Sequence, residues 1–324
     1  MTTEPSSTNR PRFLQPAGQS NPKRRLSLRA VWQQHWMLYV MLIPAALLLL
    51  IFNLYPLWGI SIAFVKYNPV VGVMHSPFVG LEHFVRFFSS RLASEIIRNT
   101  LMIAIGKTIV VQLVAIVFAL MLHDARIPAL RRVVQSATTL PHFLSWVITG
   151  GIMVQFLGST GPLNQAGAGL GFPRVSFLGS SALFPFILIL SEAWKEFGWS
   201  AVIYFAALAN INPELHEAAA VDGAGRWVRL WAVIIPGIMP IIALMSCLSL
   251  GGILNAGFEQ VLVLINPLVS ETGEILDTFV YRVGLLEGQF SFAAAVGLFK
   301  SSVGFLLILL SYWLAERFAN YRIF

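Results

Sequence analysis

A short string inside a long apolar stretch, Gly106-Lys107-Thr108, matches the last residues of a phosphate-binding loop. In such a loop, backbone N–H groups and a lysine hold nucleotide phosphates, and a further glycine stands five residues before the second one. That position is Leu101, and the string lies within an apolar segment instead of following a soluble strand. Phosphate binding is therefore not predicted, and Lys107 is expected to snorkel toward the interface or to face the interior of a helix bundle.

Residues that ligate metals or act as nucleophiles do not converge in this sequence. Cys247 is the single cysteine, which excludes an intrachain disulfide and a cysteine-based metal site. The histidines show no pair at metal-ligand spacing. They are His35, His75, His83, His123, His142 and His216. We therefore predict no catalytic residue and no metal site.

A group of charged and aromatic residues interrupts the apolar segment 182–210. Ionisable side chains inside a membrane cost roughly 2.5–3.5 kcal/mol on insertion scales, so they usually face a polar interior. The three-residue spacing places Glu192 and Lys195 on one helix face. Trp194 and Trp199 are interleaved with these charges. Tryptophan rings can stack on the CH faces of a sugar, and the charged groups can bond its hydroxyls.

These observations define a candidate substrate pathway. It consists of Trp194, Lys195, Glu196, Trp199, Asn255, Glu259 and Lys300. If the substrate is a uronate, Lys195 or Lys300 can meet its carboxylate. The alternative is that the charges pair with another subunit, or hold helices together near the outer interface. For Asn255 and Glu259 the two possibilities are that they line the outer mouth or that they contact a docking protein.

The composition places these residues in an integral membrane protein. Of the 324 residues, 56% are hydrophobic and 11% are charged, whereas a soluble domain carries about 25% charged residues. A transmembrane helix needs roughly 20 apolar residues. Six segments satisfy this requirement, at about 36–65, 99–122, 133–157, 182–210, 230–258 and 292–315. The run 261–269 is shorter and is predicted to be interfacial or re-entrant. We predict an all-α membrane domain over residues 35–324.

The basic residues predict the orientation of this domain. Residues 1–34 form a polar, basic tail without the apolar core of a signal peptide. With the N-terminus inside, inner segments hold 13 of the 22 Lys and Arg residues and outer segments hold six. Both termini and the loop 211–229 are therefore predicted to be cytoplasmic. The charges flank apolar runs and form no basic stripe, so no nucleic-acid partner is predicted.

The cytoplasmic loop between the fourth and fifth predicted spans has strong helix signals. Asn212-Pro213-Glu214 combines a capping side chain, a proline suited to the first helical position and a favourable acidic residue. Asp222-Gly223 is predicted to end the helix, with the glycine in the left-handed conformation. A second short helix follows, and Pro236 stands at the start of span five. The pattern predicts a rigid helix–turn–helix with small alanines and a fixed charge, Glu217, on its surface.

This loop also carries a family resemblance. Glu217-Ala218-Ala219-Ala220-Val221-Asp222-Gly223-Ala224, followed by Ile235-Pro236, resembles the EAA loop of ABC-importer permeases of the sugar branch. Over about residues 35–324 the chain is similar to LplB-type permeases for oligosaccharides and polysaccharides, and to a permease subunit of a bacterial alginate importer. The matching strings are Asn53-Leu54-Tyr55-Pro56, Ser76-Pro77-Phe78-Val79-Gly80-Leu81-Glu82, Leu140-Pro141-His142-Phe143-Leu144-Ser145-Trp146, Ala193-Trp194-Lys195-Glu196-Phe197-Gly198-Trp199, Gly257-Phe258-Glu259-Gln260, Asp277-Thr278-Phe279-Val280-Tyr281-Arg282 and Gly297-Leu298-Phe299-Lys300.

The resemblance implies a machine of several chains in the bacterial inner membrane. A second, different permease would complete a heterodimer around one path, two copies of a cytoplasmic ATPase would bind ATP and Mg, and a periplasmic sugar-binding protein would deliver an oligosaccharide. This chain would bind no cofactor and would contact membrane lipid. Its ATPase-coupling residues would be Glu217, Ala218, Ala219, Asp222, Gly223 and Ala224.

The implied function is that of a non-catalytic permease subunit that couples ATP hydrolysis to alternating access for oligosaccharides or polysaccharides, with alginate or another uronate as a candidate. Two alternatives come from other classes. An ion-gradient-driven secondary transporter would show ATP-independent uptake, although no repeated halves with broken helices are found. A membrane-embedded transferase would require converging catalytic residues. A further alternative for 211–229 is an ordinary helical loop.

Overall fold

The computed structural model describes residues 28–125 and 127–319. Most of the predicted basic tail therefore lies outside the described residues. The described residues begin with α1 (Leu28–Leu49), which continues as a π-helical turn, Leu50–Leu54, and a 3-10 stretch, Tyr55–Phe64. Pro56 has no N–H to donate to the preceding turn, and the helical hydrogen-bond pattern changes around it. The stretch Trp36–Phe64 is long and apolar enough to cross a membrane. Among the described residues, 28–58 form one unit and the residues from Gly59 onward form a second.

The second unit is helical. The two helices that matter most for function, α7 (Phe184–Ala209) and α8 (Pro213–Val221), are consecutive in the chain. Its α-helices within the described residues are α2 (Glu82–Phe88), α3 (Arg91–His123), α4 (Pro128–Thr139), α5 (Trp146–Leu157), α6 (Pro162–Gly169), α7 (Phe184–Ala209), α8 (Pro213–Val221), α9 (Arg226–Arg229), α10 (Ile235–Gly251), α11 (Phe258–Leu264), α12 (Ser270–Gly273), α13 (Leu276–Tyr281) and α14 (Phe290–Ala319). Two π-helical turns, Leu230–Ile234 and Arg282–Leu286, and two 3-10 turns, Val73–His75 and Leu140–Phe143, complete the helical segments.

Four stretches in the described chain are long and apolar enough to cross a membrane by themselves. They are Trp36–Phe64, Arg91–His123, Arg226–Gly251 and Phe290–Arg317, which correspond to predicted spans one, two, five and six. The fourth predicted span is α7, whose 26 residues are sufficient in length but include three charged side chains. The all-α membrane class is confirmed, while the count of six spans stays a prediction.

The third predicted span, 133–157, is not one continuous helix. The stretches Pro128–Phe143 and Trp146–Gly169 meet the length and composition test only together, and they are bent by 102°. Leu144 and Ser145 adopt extended backbone between them, and the hydroxyl of Ser145 accepts from the backbone N–H of Ile148, which starts α5. A proline at 141 followed by a serine cap is a stop-and-restart signal that the apolar composition alone did not reveal.

Small residues allow the main helices to approach closely. The longest packing seam joins α3 to α7, where Ala115 and Ala119 meet Ala201 and Phe205 in one buried cluster. α10 packs along α14. α4 lies against α7 so closely that a Cβ at Gly198 would stand 2.1 Å from the carbonyl oxygen of Thr138. This approach positions the bend after α4 directly over α7.

The contact at Gly198 gives a testable prediction. Gly198→Ala should lower the thermal unfolding midpoint in detergent, because the methyl group meets backbone that cannot rotate away, at a cost of about 1–3 kcal/mol. Gly304→Ala is the matched control, since this glycine of α14 has open space around its Cβ position and alanine favours the helix. An unchanged midpoint for Gly198→Ala would contradict the α4–α7 packing.

Candidate functional site

The loop between α7 and α10 begins with a fully formed helix cap. The Asn212 side chain accepts a hydrogen bond from the backbone N–H of Glu214 at 3.0 Å, and its amide donates to the Glu214 carboxylate at 3.1 Å. Pro213 occupies the first helical position, where a backbone donor is not needed. The start of α8 therefore agrees with the signals in the sequence.

The other end of α8 closes with a Schellman motif. The N–H of Gly223 donates to the carbonyl of Ala220 at 3.1 Å, and the N–H of Ala224 donates to that of Ala219 at 2.9 Å. These are the two bonds of the motif, and they require a left-handed residue between helix and turn. Gly223 supplies it with φ of 72°. The turn is therefore set by backbone hydrogen bonds and by the one residue type that adopts this conformation without strain.

The predicted coupling residues lie together on this turn. Glu217, Ala218, Asp222 and Gly223 are exposed, and Ala219 and Ala224 are half-buried. Apolar side chains accompany them, with Val221 88% and Trp227 76% exposed. Arg226 of α9 donates to the carboxylate of Asp124, at the end of α3, at 2.7 Å. The loop is thus a firm projection with an apolar surface, linked to a second long helix.

A cluster of charged and aromatic side chains holds the bend between α4 and α5 against α7. The ammonium group of Lys195, which is buried, donates to the carbonyl of His142 at 2.9 Å and to the Glu196 carboxylate at 3.0 Å. Nδ1 of His142 lies 2.7 Å from Oε2 of Glu196. The His142 ring stacks on Trp199 with centroids 4.6 Å apart. Three of the predicted pathway residues, Lys195, Glu196 and Trp199, therefore lie together here, and His142 is an additional member of the cluster.

The other aromatic candidate, Trp194, directly precedes Lys195 on α7. Trp194 and Trp199 are each nearly half exposed. The ammonium group of Lys195 lies 5.5 Å from the centroid of the Trp146 ring, which adds a cation–π contact to its two hydrogen bonds. Glu192, which shares a helix with Lys195, pairs elsewhere.

Lys107, the lysine of the apparent phosphate-binding string, is buried and connects three segments. Its ammonium group forms an ion pair with Glu192 of α7 at 3.3 Å. It also donates to the carbonyl of Ala256 at 2.6 Å and to the side-chain oxygen of Gln260 on α11. The prediction that Lys107 faces the bundle interior agrees with this geometry.

Gln260 is a further member of this buried set of contacts, and it was not selected from the sequence. It is fully buried, and its amide donates to the carbonyl of Leu188 at 2.9 Å and to the hydroxyl of Ser191 at 2.8 Å. Gly257, with φ of 87°, lets the chain pass over Lys107, because a Cβ there would lie 2.5 Å from the ammonium nitrogen. The sequence signal that could have located Gln260 is its position as a polar residue directly before a short apolar run.

A polar cavity of about 320 Å³ lies beside Lys107 and is bordered by α3, α7 and α10. Its walls include two predicted pathway residues, Glu196 and Asn255, together with Lys107, Glu192 and Tyr204. The cavity therefore presents carboxylates, an amide, a hydroxyl and an aromatic ring toward one space. Such a set can bond hydroxyl groups and contact apolar sugar faces.

The last candidates lie near α13 and α14. The ammonium group of Lys300 donates to the Asp277 carboxylate at 2.5 Å and to the side-chain oxygen of Asn255 at 2.9 Å. Glu259 is exposed in the first turn of α11. Asp277, a partner that sequence reasoning did not select, stands in the string predicted to match the family.

A model of the family of binding-protein-dependent transport system inner membrane components matches residues 112–320. The chain belongs to this family. It is 38% identical over 303 residues to the polygalacturonan/rhamnogalacturonan transport system permease protein YteP of Bacillus subtilis (strain 168), covering 93% of this chain and 94% of that protein. It is 37% identical over 298 residues to protein LplB of the same organism, covering 92% and 93% of the two chains.

A solved structure supports the same assignment. The permease resembles a chain in the crystal structure of a bacterial alginate ABC transporter in complex with an alginate pentasaccharide-bound periplasmic protein, with a TM-score of 0.83 and 35% identity. The likeness covers 91% of this chain and 99% of that one. The predicted resemblance to LplB-type permeases is confirmed, and the chain is a non-catalytic permease subunit and an integral membrane protein.

The buried lysine of the permease gives a second prediction. Lys107→Met should lower the unfolding midpoint strongly, because it leaves the Glu192 carboxylate without its cation and the Gln260 oxygen without its donor, at a cost of about 3–5 kcal/mol. The double variant Lys107→Met/Glu192→Gln should recover part of the loss, since the unpaired charge is then removed.

Lys66→Met serves as the matched control, because Lys66 is exposed and surface substitutions usually change stability by less than about 0.5 kcal/mol. The midpoints can be compared by intrinsic fluorescence in one detergent. Equal midpoints for Lys107→Met and Lys66→Met would show that the contacts of Lys107 contribute little to the stability of the fold.

Proposed function

We propose that this permease is one of two different membrane subunits of an ATP-driven importer for oligosaccharides cut from acidic polysaccharides. The observation that carries the ATP-driven part is the Schellman-closed helix–turn at Gly223, which projects between two long helices. Two relatives support the substrate class. One is described as transporting polygalacturonan and rhamnogalacturonan, and another as importing the acidic polysaccharide alginate.

The proposed working unit contains partners that provide what this chain lacks. A second permease completes the path, and two copies of a cytoplasmic ATPase bind ATP and Mg. A periplasmic binding protein delivers the sugar to the outer loops, near 66–98, 158–181 and 259–291. The distribution of lysine and arginine supports an orientation in the inner membrane with both termini in the cytoplasm.

The coupling step follows from the rigidity of the loop. When the ATPase dimer closes, its surface carries α8 with it. The helix moves as a rigid body because it is capped at both ends, and deforming it would cost free energy. Glu217 offers a fixed charge and the alanines permit close approach of the partner. Motion of α8 passes to α7 through Asn212 and to the end of α3 through Arg226 and Asp124. The helices that border the polar cavity are thereby moved together.

Each lysine along the proposed pathway is paired with a carboxylate of this chain. Lys107, Lys195 and Lys300 are matched with Glu192, Glu196 and Asp277 respectively. We therefore propose that this subunit guides an acidic sugar mainly through hydroxyl and aromatic contacts, with Glu196 and Asn255 at the cavity and Trp194, Trp199 and Glu259 on exposed surface. Selection for the carboxylate is assigned to the binding protein and the sister permease.

The coupling proposal can be tested at one residue. Gly223→Val should lower sugar-stimulated ATP hydrolysis in proteoliposomes by about tenfold, because a left-handed backbone costs an L-residue roughly 1–2 kcal/mol, and a β-branched one more. Gly225→Val is the matched control: Gly225 has φ of −67° and open space around its Cβ position. If the two variants hydrolyse ATP and import sugar alike, the turn has no coupling role.

The same proteoliposomes separate the competing transport mechanisms. Uptake should require ATP and the loaded binding protein, and should persist when ion gradients are dissipated. Uptake driven by a gradient without ATP would instead assign the chain to a secondary transporter.

A further inference from the structure

A second cavity, of about 1100 Å³, lies where the end of α3 faces α8, α9 and the π-helical turn before α10. Its polar lining is basic and aromatic: His123, His216, Arg226, Arg229 and Trp227, with Asp124 as the acidic member. The remaining lining is apolar, from leucine, methionine and isoleucine side chains. The coupling proposal does not use this space.

The two arginines of the cavity differ in their bonding. Arg226 donates to the carboxylate of Asp124 at 2.7 Å, so its charge is compensated. Nε of Arg229 is buried and donates a hydrogen bond to no group in the part of the chain that the structure describes. A buried donor without an acceptor is costly. We therefore expect the acceptor for Arg229 to lie outside the described part of the chain, and a planar guanidinium suits a phosphate group.

The depth of the cavity indicates where that phosphate comes from. His123 is the last residue of the apolar stretch Arg91–His123, and Arg226 is the first of Arg226–Gly251. The cavity therefore lies at the ends of two membrane-spanning stretches, which is the level of lipid headgroups. Trp227 and Trp231 are 76% and 67% exposed at this level, as expected of aromatic residues at a membrane interface.

We propose that this cavity binds the phosphate of an anionic phospholipid, with Arg229 as the principal contact and the apolar wall against the upper acyl chains. Basic pockets between transmembrane helices on the cytoplasmic side bind such headgroups. The assignment to the cytoplasmic leaflet rests on the proposed orientation, whereas the phosphate contact does not. Because the walls belong to α3 and to the coupling loop, the bound lipid joins the two and makes the loop responsive to lipid composition.

The test measures lipid binding to the full-length chain, purified in a neutral detergent, so that it does not depend on transport. Phosphatidylglycerol, phosphatidylcholine and inorganic phosphate are each titrated, and the unfolding midpoint and the lipid retained in native mass spectra are recorded. We expect saturable stabilisation and retention with phosphatidylglycerol alone. Arg229→Gln should weaken the apparent affinity about tenfold, the loss expected for one charge-assisted hydrogen bond.

Two further variants keep the test decisive if Arg229→Gln is poorly folded. Arg229→Lys retains the charge but loses the guanidinium fork, and should show an intermediate affinity. Arg132→Gln is the matched control, because Arg132 is exposed on α4 and is not part of the cavity lining, and it should bind lipid as the wild type does.

Three results would overturn the proposal. Equal phosphatidylglycerol affinity in wild type and both Arg229 variants would remove Arg229 from the site. Equal stabilisation by inorganic phosphate would make a free anion the ligand. No stabilisation by either would assign the acceptor to another protein, such as an acidic side chain of the ATPase. A negative result here would leave the transport proposal standing, because uptake is measured separately.

Discussion

A charged ammonium group in the interior of a membrane protein needs a carboxylate or carbonyl partner, because the surrounding hydrocarbon offers it neither water nor counterions. In this permease that requirement is met between helices. Lys107 joins α3 to α7 and to the start of α11, Lys195 joins α7 to the bend after α4, and Lys300 joins α14 to α13. Much of the helix arrangement depends on these three lysines having partners on other segments.

The paired charges also shape the space between the helices. Each of the three lysines has one partner that lines the polar cavity, and these partners are Glu192, Glu196 and Asn255. Glu196 illustrates the double role, since it bonds Lys195, lies against His142 and lines the cavity. A residue that holds the bend in place therefore also lines the proposed sugar pathway, and on that proposal a change at this position would affect both assembly and passage.

The loop between α7 and α10 follows a different rule. There, backbone hydrogen bonds and one positive φ angle make the helix–turn rigid, while most of its side chains are exposed. The link from Arg226 to Asp124 is exposed and so contributes little stability by itself, but it sets the loop in register with the end of α3. A rigid backbone with exposed side chains is the combination that the proposed coupling contact requires.

The sequence by itself determined the membrane class, most of the apolar spans, and both ends of α8, because these depend on composition and on local backbone chemistry. Asn212, Pro213 and Gly223 act within a few residues of themselves, so their effect is visible in the string. The family was likewise apparent from the loop and from the strings spread along the chain.

Only the tertiary structure decided the partners of the charged residues. Glu192 and Lys195 share a helix face by spacing, yet one pairs with α3 and the other with the carbonyl of His142. Gln260 and Asp277 gain their importance from residues more than 20 positions away. The bend at Ser145 is set by packing of α4 on α7 through Gly198 as well as by the local cap. Pairing between charged residues far apart in the sequence depends on where the helices cross, and the local periodicity of the sequence does not contain that information.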